Sequence, residues 1–115
     1  MRIAICEDDK EIQTFIEKKT EECLKEIGLE GECECFSSAE ELLEKGSMPY
    51  LFYILDIHMG QLSGMELAEY IRQQDKSAVI LFVTGYKEMM QQAFDVQAFQ
   101  YLVKPIDPDA AYSVI

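Results

Sequence analysis

Five polar side chains stand where short strand-forming runs stop. Arg2 to Cys6 runs into Glu7-Asp8, Tyr50 to Leu55 into Asp56, Ala78 to Val83 into Thr84, and Phe99 to Val103 into Lys104. If Glu7, Asp8 and Asp56 meet, they need a cation. Two carboxylates about 4 Å apart repel by roughly 4 kcal/mol at an effective dielectric of 20. Either one takes a proton or a hard divalent ion neutralises them. Two or three carboxylates plus water suit Mg²⁺, which keeps part of its hydration shell. Lys104 adds a point positive charge and Thr84 a hydroxyl donor. Carboxylate, Mg²⁺, ammonium and hydroxyl are the parts needed to hold a phosphoryl group. Asp56 lies between the metal side and the cationic side, so it is the natural nucleophile.

These residues meet only if the chain folds so that every apolar run ends at the same edge. Tyr50 to Leu55 is short, aromatic and branched, as expected of a strand buried on both faces of a parallel sheet. The first strand, Arg2 to Cys6, precedes a helix with Ile12, Phe15, Ile16, Cys23, Leu24 and Ile27 at helical spacing. Asp8 with Glu11 has the form of a capping box for that helix, and Gly28 and Gly31 bracket the turn that ends it. Glu32 to Phe36 reads as a second strand, followed by a helix capped through Ser38 and Glu41 and ended by Gly46 and Pro49. Ser63 and Glu66 cap a third helix, with Met65, Leu67, Ala68 and Ile71 facing inward. A fourth helix is expected over about Lys87 to Val96. Pro108 can open a fifth at its first turn. From Pro108 to Ile115 that helix has at most eight residues, against a mean of about 11 to 12, so it is expected to be truncated.

The order is βαβαβαβαβα, a doubly wound α/β sheet with crossovers long enough for parallel pairing. In the strand order 2-1-3-4-5, strands one and three flank the switch point, where open α/β sheets bind ligands. Strand two, which ends in the uncharged Phe36-Ser37, is then an edge. The four polar ends converge and the uncharged one lies outside.

At 115 residues the chain is one domain, and at 49% apolar residues it has material for a core. No apolar run approaches the roughly 18 to 20 residues of a membrane span, and no signal peptide is visible, so a cytoplasmic location is expected. Ten basic residues against 22 acidic ones give a charge of −12. That field repels nucleic acid and anionic membrane and attracts Mg²⁺. The four cysteines form no Cys-x-x-Cys pair. Cys33 and Cys35 share a strand face, and buried free thiols in a reducing compartment fit Cys6, Cys23, Cys33 and Cys35 best. His58 is the lone histidine, which excludes a His-rich zinc site. Met89, Met90 and Phe94 read either as core or as a partner surface. Glu21-Glu22 and Glu40-Glu41 read as solvated helix faces.

Glu7-Asp8, Asp56 with Met59 and Gly64 behind it, Thr84-Gly85 and Lys104-Pro105 resemble, in order and spacing, the receiver domain of bacterial two-component response regulators. The likeness covers essentially residues 1–115. The stretch from Ala93 to Ile106 resembles the LytTR-type subgroup in particular. The resemblance implies a flavodoxin-like fold and phosphorelay signalling. Asp56 would accept phosphate from a sensor histidine kinase. Asp8 would bind Mg²⁺ directly, Glu7 through water, and His58 through its backbone carbonyl. Thr84 and Lys104 would contact the phosphoryl oxygens, and Tyr101 would be the aromatic switch residue. The Lys104-Pro105 bond would be cis. A homodimer through the helix 4–strand 5–helix 5 face is implied, as is a C-terminal DNA-binding output domain. Gly60 stands where many members have Pro, so the loop after Asp56 is expected to be more mobile.

Three rival readings differ in testable features. A hydrolase resembling the haloacid dehalogenases needs a second Asp two residues after the nucleophile, where this chain has His58. A flavodoxin-like electron carrier needs a hydroxyl- and Gly-rich loop after strand one, where this chain has Glu7-Asp8-Asp9. A receiver-like fold that is never phosphorylated would retain no need for Asp8, Asp56, Thr84 and Lys104 together.

Overall fold

The computed structural model describes residues 1–104. In chain order these form β1 (Arg2–Cys6), α1 (Lys10–Glu26), β2 (Glu32–Phe36), α2 (Ala39–Lys45), β3 (Phe52–Leu55), α3 (Gly64–Gln74), β4 (Val79–Thr84), α4 (Met90–Asp95) and β5 (Gln100–Val103). The strands build one parallel sheet in the order β2-β1-β3-β4-β5, as the strand ends require. The expected fifth helix and the Lys104-Pro105 bond lie outside the described residues.

Side chains alternate across each strand, and the two sheet faces have separate cores. Ala4, Cys6, Tyr53, Leu55, Ile80 and Phe82 face α2, α3 and α4 and pack with Leu42, Met65, Ala68, Ile71 and Ala93. Ile3, Ile5, Ile54, Leu81 and Val83 face the other way, toward Ile16 and Leu24 of α1. Each of the larger side chains contributes roughly 1.5–3 kcal/mol by leaving water. Tyr50 and Tyr53 are buried with their hydroxyls satisfied: Tyr50 N–H donates to Tyr53 Oη, and Ser47 N–H to Tyr50 Oη, both at 3.0 Å. Those two bonds fasten the loop that feeds β3, so the strand enters the sheet in a fixed register.

That register decides where the polar ends emerge. Cys6 pairs with Leu55, so Glu7 and Asp56 leave the sheet side by side. Thr84 pairs with Val103, which places Lys104 one residue beyond.

Four expectations need correction. The cap of α1 is Asp9, not Asp8: Asp9 Oδ1 accepts from the Glu11 and Ile12 amides at 2.9 and 3.3 Å. Two adjacent aspartates compete for that position, and this choice leaves the Asp8 carboxylate free of capping. Ile27 is exposed, because α1 ends at Glu26 before its stripe returns to the core. The fourth helix is six residues long, not ten, because Met89 at its start offers no side-chain cap and no acidic residue supports its first turn. Glu40 and Glu41 are also not merely solvated. Glu41 Oε1 accepts from the Ser37 amide at 2.9 Å, and Glu40 accepts from two amides of the loop after Asp56.

All four cysteines are free, with Cys6 and Cys23 buried and Cys33 and Cys35 half-buried against α1. Burial pushes the thiols of Cys6 and Cys35 up to about 12 and that of Cys33 up to about 11, so they are poor nucleophiles.

Candidate functional site

Glu7, Asp8 and Asp56 come together at the carboxyl edge of the sheet, with one oxygen from each lying within 4.8 Å of the others. Glu7 and Asp56 are buried and Asp8 is exposed. Lys104 reaches the cluster from the end of β5. Its Nζ lies 2.9 Å from Asp56 Oδ2 and 2.7 Å from Glu7 Oε1. The first contact is a hydrogen bond and the second a close ion pair. One ammonium thus serves two carboxylates, with a third nearby.

The electrostatic consequence falls on Glu7. Burial raises its pKa from the ordinary 4.5 to about 7, and the Asp56 charge adds to the rise. The Lys104 ammonium and the Asp9 amide, which donates to Glu7 Oε2 at 3.2 Å, oppose it without cancelling it. For Lys104, burial works to lower the pKa, but the bonds to Glu7 and Asp56 outweigh it and the net shift is upward. Among the described residues the site sets three carboxylates against one lysine and is short of positive charge. This donor set, all hard oxygens and partly open through Asp8, fits Mg²⁺.

The local structure holds Asp56 firmly. Its amide donates to Cys6 O at 3.0 Å, and its Oδ1 accepts from the His58 amide at 3.4 Å. Helix α3 begins against its carbonyl: a Cβ on Gly64 would lie 2.0 Å from Asp56 O. Only glycine lets the helix start that close, and the Ser63–Glu66 capping box then fixes its first turn. Met59, 1% exposed, anchors the intervening loop in the core.

Thr84 is fully buried at the end of β4, and its Oγ1 accepts from the Tyr86 amide at 3.3 Å. Tyr101 is half-buried, its ring centroid 5.9 Å from that of Phe82, and its hydroxyl donates to the Tyr86 carbonyl. Tyr86 therefore bonds both the hydroxyl residue at the site and the aromatic on β5. His58 turns its ring outward against Tyr86, with centroids 5.4 Å apart, and is not part of the acidic cluster. Met89 packs on the core, whereas Met90 and Phe94 face solvent, Phe94 at 80% exposure.

One buried residue at the site escaped the sequence reading. Gln13 Nε2 donates to the carbonyls of Glu7 and Phe36, both at 3.1 Å, and so fixes the ends of β1 and β2. Its signal was present: Gln13, Ile16, Thr20 and Leu24 recur at helical spacing, so a polar residue lies in phase with the apolar stripe.

A doubly wound parallel sheet with an acidic, lysine-capped pocket at its switch point defines an α/β domain of the kind that places its site at the carboxyl ends of the strands. Residues 3–115 match the response regulator receiver domain, and the chain belongs to that family. It is 34% identical over 85 residues to the sensory transduction protein LytT of Bacillus anthracis, a match covering 74% of this chain and 34% of that protein. This agrees with the LytTR-type resemblance. The response regulatory domain of protein mrkE from Klebsiella pneumoniae superposes with a TM-score of 0.83 at 26% identity, covering 99% of this chain and 91% of that one. Response regulator protein TrrA from Thermotoga maritima, solved in complex with Mg(2+)-BeF, gives 0.74 at 29% identity, covering 99% and 98%. The chain spans about a third of the length of the LytT relatives it matches. Family membership leaves the dehalogenase-like and flavin-carrier readings without support. No helix among the described residues is long and apolar enough to cross a membrane.

Proposed function

We propose that this chain is the phosphoacceptor of a two-component pathway and that Asp56 takes a phosphoryl group from a phosphohistidine of a sensor histidine kinase. The observation that carries the reading is the Asp56 carboxylate, 2.9 Å from the Lys104 ammonium and beside the Glu7 and Asp8 oxygens. An Asp56 oxygen bonds to phosphorus as the phosphorus–nitrogen bond of the donor breaks, and the electron pair stays on the imidazole nitrogen. Lys104 offsets negative charge on the phosphoryl oxygens, and the Thr84 hydroxyl at the end of β4 is the neutral donor to them. Mg²⁺, when bound, supplies the positive charge that lets carboxylate and phosphoryl group approach. Asp8 and Asp56 would hold it directly, Glu7 through water, and His58 through its backbone carbonyl.

The Thr84 hydroxyl, which accepts from the Tyr86 amide, would donate its proton to a phosphoryl oxygen. Drawing the Thr84 hydroxyl inward breaks its bond to the Tyr86 amide, and the Tyr86 carbonyl is the acceptor that Tyr101 uses. Tyr101 then reports the state of Asp56 to the α4–β5 face. In a full-length, cytoplasmic regulator this would drive homodimerisation and a C-terminal DNA-binding output domain, while the acidic receiver itself binds neither DNA nor membrane.

Incubation with phosphoramidate or acetyl phosphate and Mg²⁺, followed by intact mass, tests the reading. One added phosphoryl group is expected, lost with chelator and in Asp56→Asn. Unchanged labelling in that variant would move the acceptor elsewhere. No labelling of the wild type at all would favour a receiver that acts only by binding partners.

A further inference from the structure

Residues 57–63, the loop that follows Asp56, carry the His58 backbone and end at the cap of α3. Several ties hold its two ends: the His58 amide on Asp56 Oδ1, Met59 in the core, the Gly64 amide on Ile57 O at 2.8 Å, and the Ser63 capping box. Its middle, Gly60 to Leu62, is held from another element. Glu40, in the first turn of α2, accepts from the Gln61 and Leu62 amides through Oε2 at 3.1 and 3.2 Å. Gly60 makes this possible. It sits at φ +60°, where proline cannot, and a Cβ there would press to 3.2 Å from Glu40 Oε1. The glycine that suggested a looser loop thus belongs to a clamp.

We propose that Glu40 is a positioning residue for the metal site: by gripping the Gln61 and Leu62 amides it sets the loop that carries His58, and so the affinity of the Glu7-Asp8-Asp56 cluster for Mg²⁺. This rests on the reading of that cluster as a Mg²⁺ site. A carboxylate accepting two amides makes charge-assisted bonds, stronger than neutral ones and short enough to fix a backbone. The Glu40 carboxyl is held below its usual range by backbone amides, its own first and then that of Leu62; burial opposes them, and the Gln61 amide adds a lesser lowering. Glu40 is exposed and touches none of the three site carboxylates in its hydrogen bonds, so its influence runs through the loop.

The test compares Glu40→Ala, Glu40→Gln and Glu44→Ala. Mg²⁺ affinity is read by isothermal titration, and amide exchange at Gln61 and Leu62 is read by NMR in chelator. Glu44 is exposed on the same helix and controls for net charge; the Gln variant removes the same charge but keeps an acceptor. Outer partners of metal ligands often cost 10-fold or more in affinity when removed, so Glu40→Ala should weaken Mg²⁺ by roughly five- to tenfold and speed exchange at both amides by about as much. Glu40→Gln, which keeps a neutral acceptor, should fall between Glu40→Ala and wild type, and Glu44→Ala should stay within about twofold of wild type. Equal weakening in Glu40→Ala and Glu44→Ala would reduce the effect to charge and overturn the proposal, as would unchanged affinity in Glu40→Ala. Wild-type protein that binds no Mg²⁺ would instead refute the metal reading itself, with the exchange data still reporting the clamp.

Discussion

Glu7 is 1% exposed, and its one cationic neighbour, Lys104, is shared with Asp56. Without metal, its raised pKa means the folded protein holds a proton on Glu7 more tightly than the unfolded chain does. The sign follows from linkage: between about 4.5 and about 7 the folded state binds more protons, so stability falls as pH rises through that window. A shift of that size corresponds to a loss of roughly 3 kcal/mol across the window. Urea unfolding in chelator should therefore show wild type losing more stability than Glu7→Gln between about pH 5 and about pH 8. Parallel pH profiles would place the costly proton elsewhere. The site was legible in the sequence because its residues stand at the ends of short strand-like runs, and the pleat and register do the rest. The Asp8–Asp9 choice was not legible, since both carboxylates suit a cap and only the geometry of the first turn decides. Nor was Glu40, whose partners lie 21 and 22 residues away in a loop without periodicity.

At the scale of elements, the helices differ in how they are anchored. Helix α3 has a full capping box, whereas α4 has no side-chain cap and is held from its far end. That anchor is Arg72 of α3. Its guanidinium donates to the carbonyls of Val96 and Gln97 at 2.9 and 3.3 Å, and to those of Asp75, Lys76 and Ala78 at 3.3, 3.0 and 2.8 Å. One side chain thus joins the end of α3, the start of β4 and the end of α4, where Gln97 takes φ +57°. The N-terminal end of α4 has no side-chain cap and is held by Met89, which packs on the core. Arg72→Met strands the carbonyls of the buried Ala78 and Val96, which should cost about 1–3 kcal/mol. Lys should restore only part, because it lacks the planar fork. Denaturant midpoints give the loss, and hydrogen exchange should locate it in α4 more than in β1. A uniform change would make Arg72 a general staple rather than the anchor of α4. Sequence periodicity found α3 from its stripe but overextended α4. A cap is a single residue, and Met89 resembles its neighbours until the hydrogen bonds are seen.

Charge governs association at the scale of the molecule. Two copies at −12 each repel wherever their acidic surfaces meet, so self-association is open only to a patch that lacks charge. Residues 89–103 contain one charged side chain, Asp95, and expose Met90, Phe94 and Phe99 at 51%, 80% and 63%. Large exposed apolar side chains gathered in one place mark an interaction surface. The same stretch includes Tyr101, whose hydroxyl bonds to Tyr86 beside Thr84. On the proposed switch, the least self-repelling surface is also the one that phosphorylation of Asp56 would reach. We expect the full-length protein to dimerise more tightly through it when phosphorylated. Sedimentation velocity with and without a beryllofluoride mimic should show a larger dimer fraction in the activated state. Added salt should strengthen the dimer by screening the residual repulsion. Phe94→Lys or Met90→Glu should abolish the difference while leaving phosphorylation of Asp56 intact by mass. Equal association in both states, or a dimer indifferent to charge at Phe94 and Met90, would mean that the switch is read from another face.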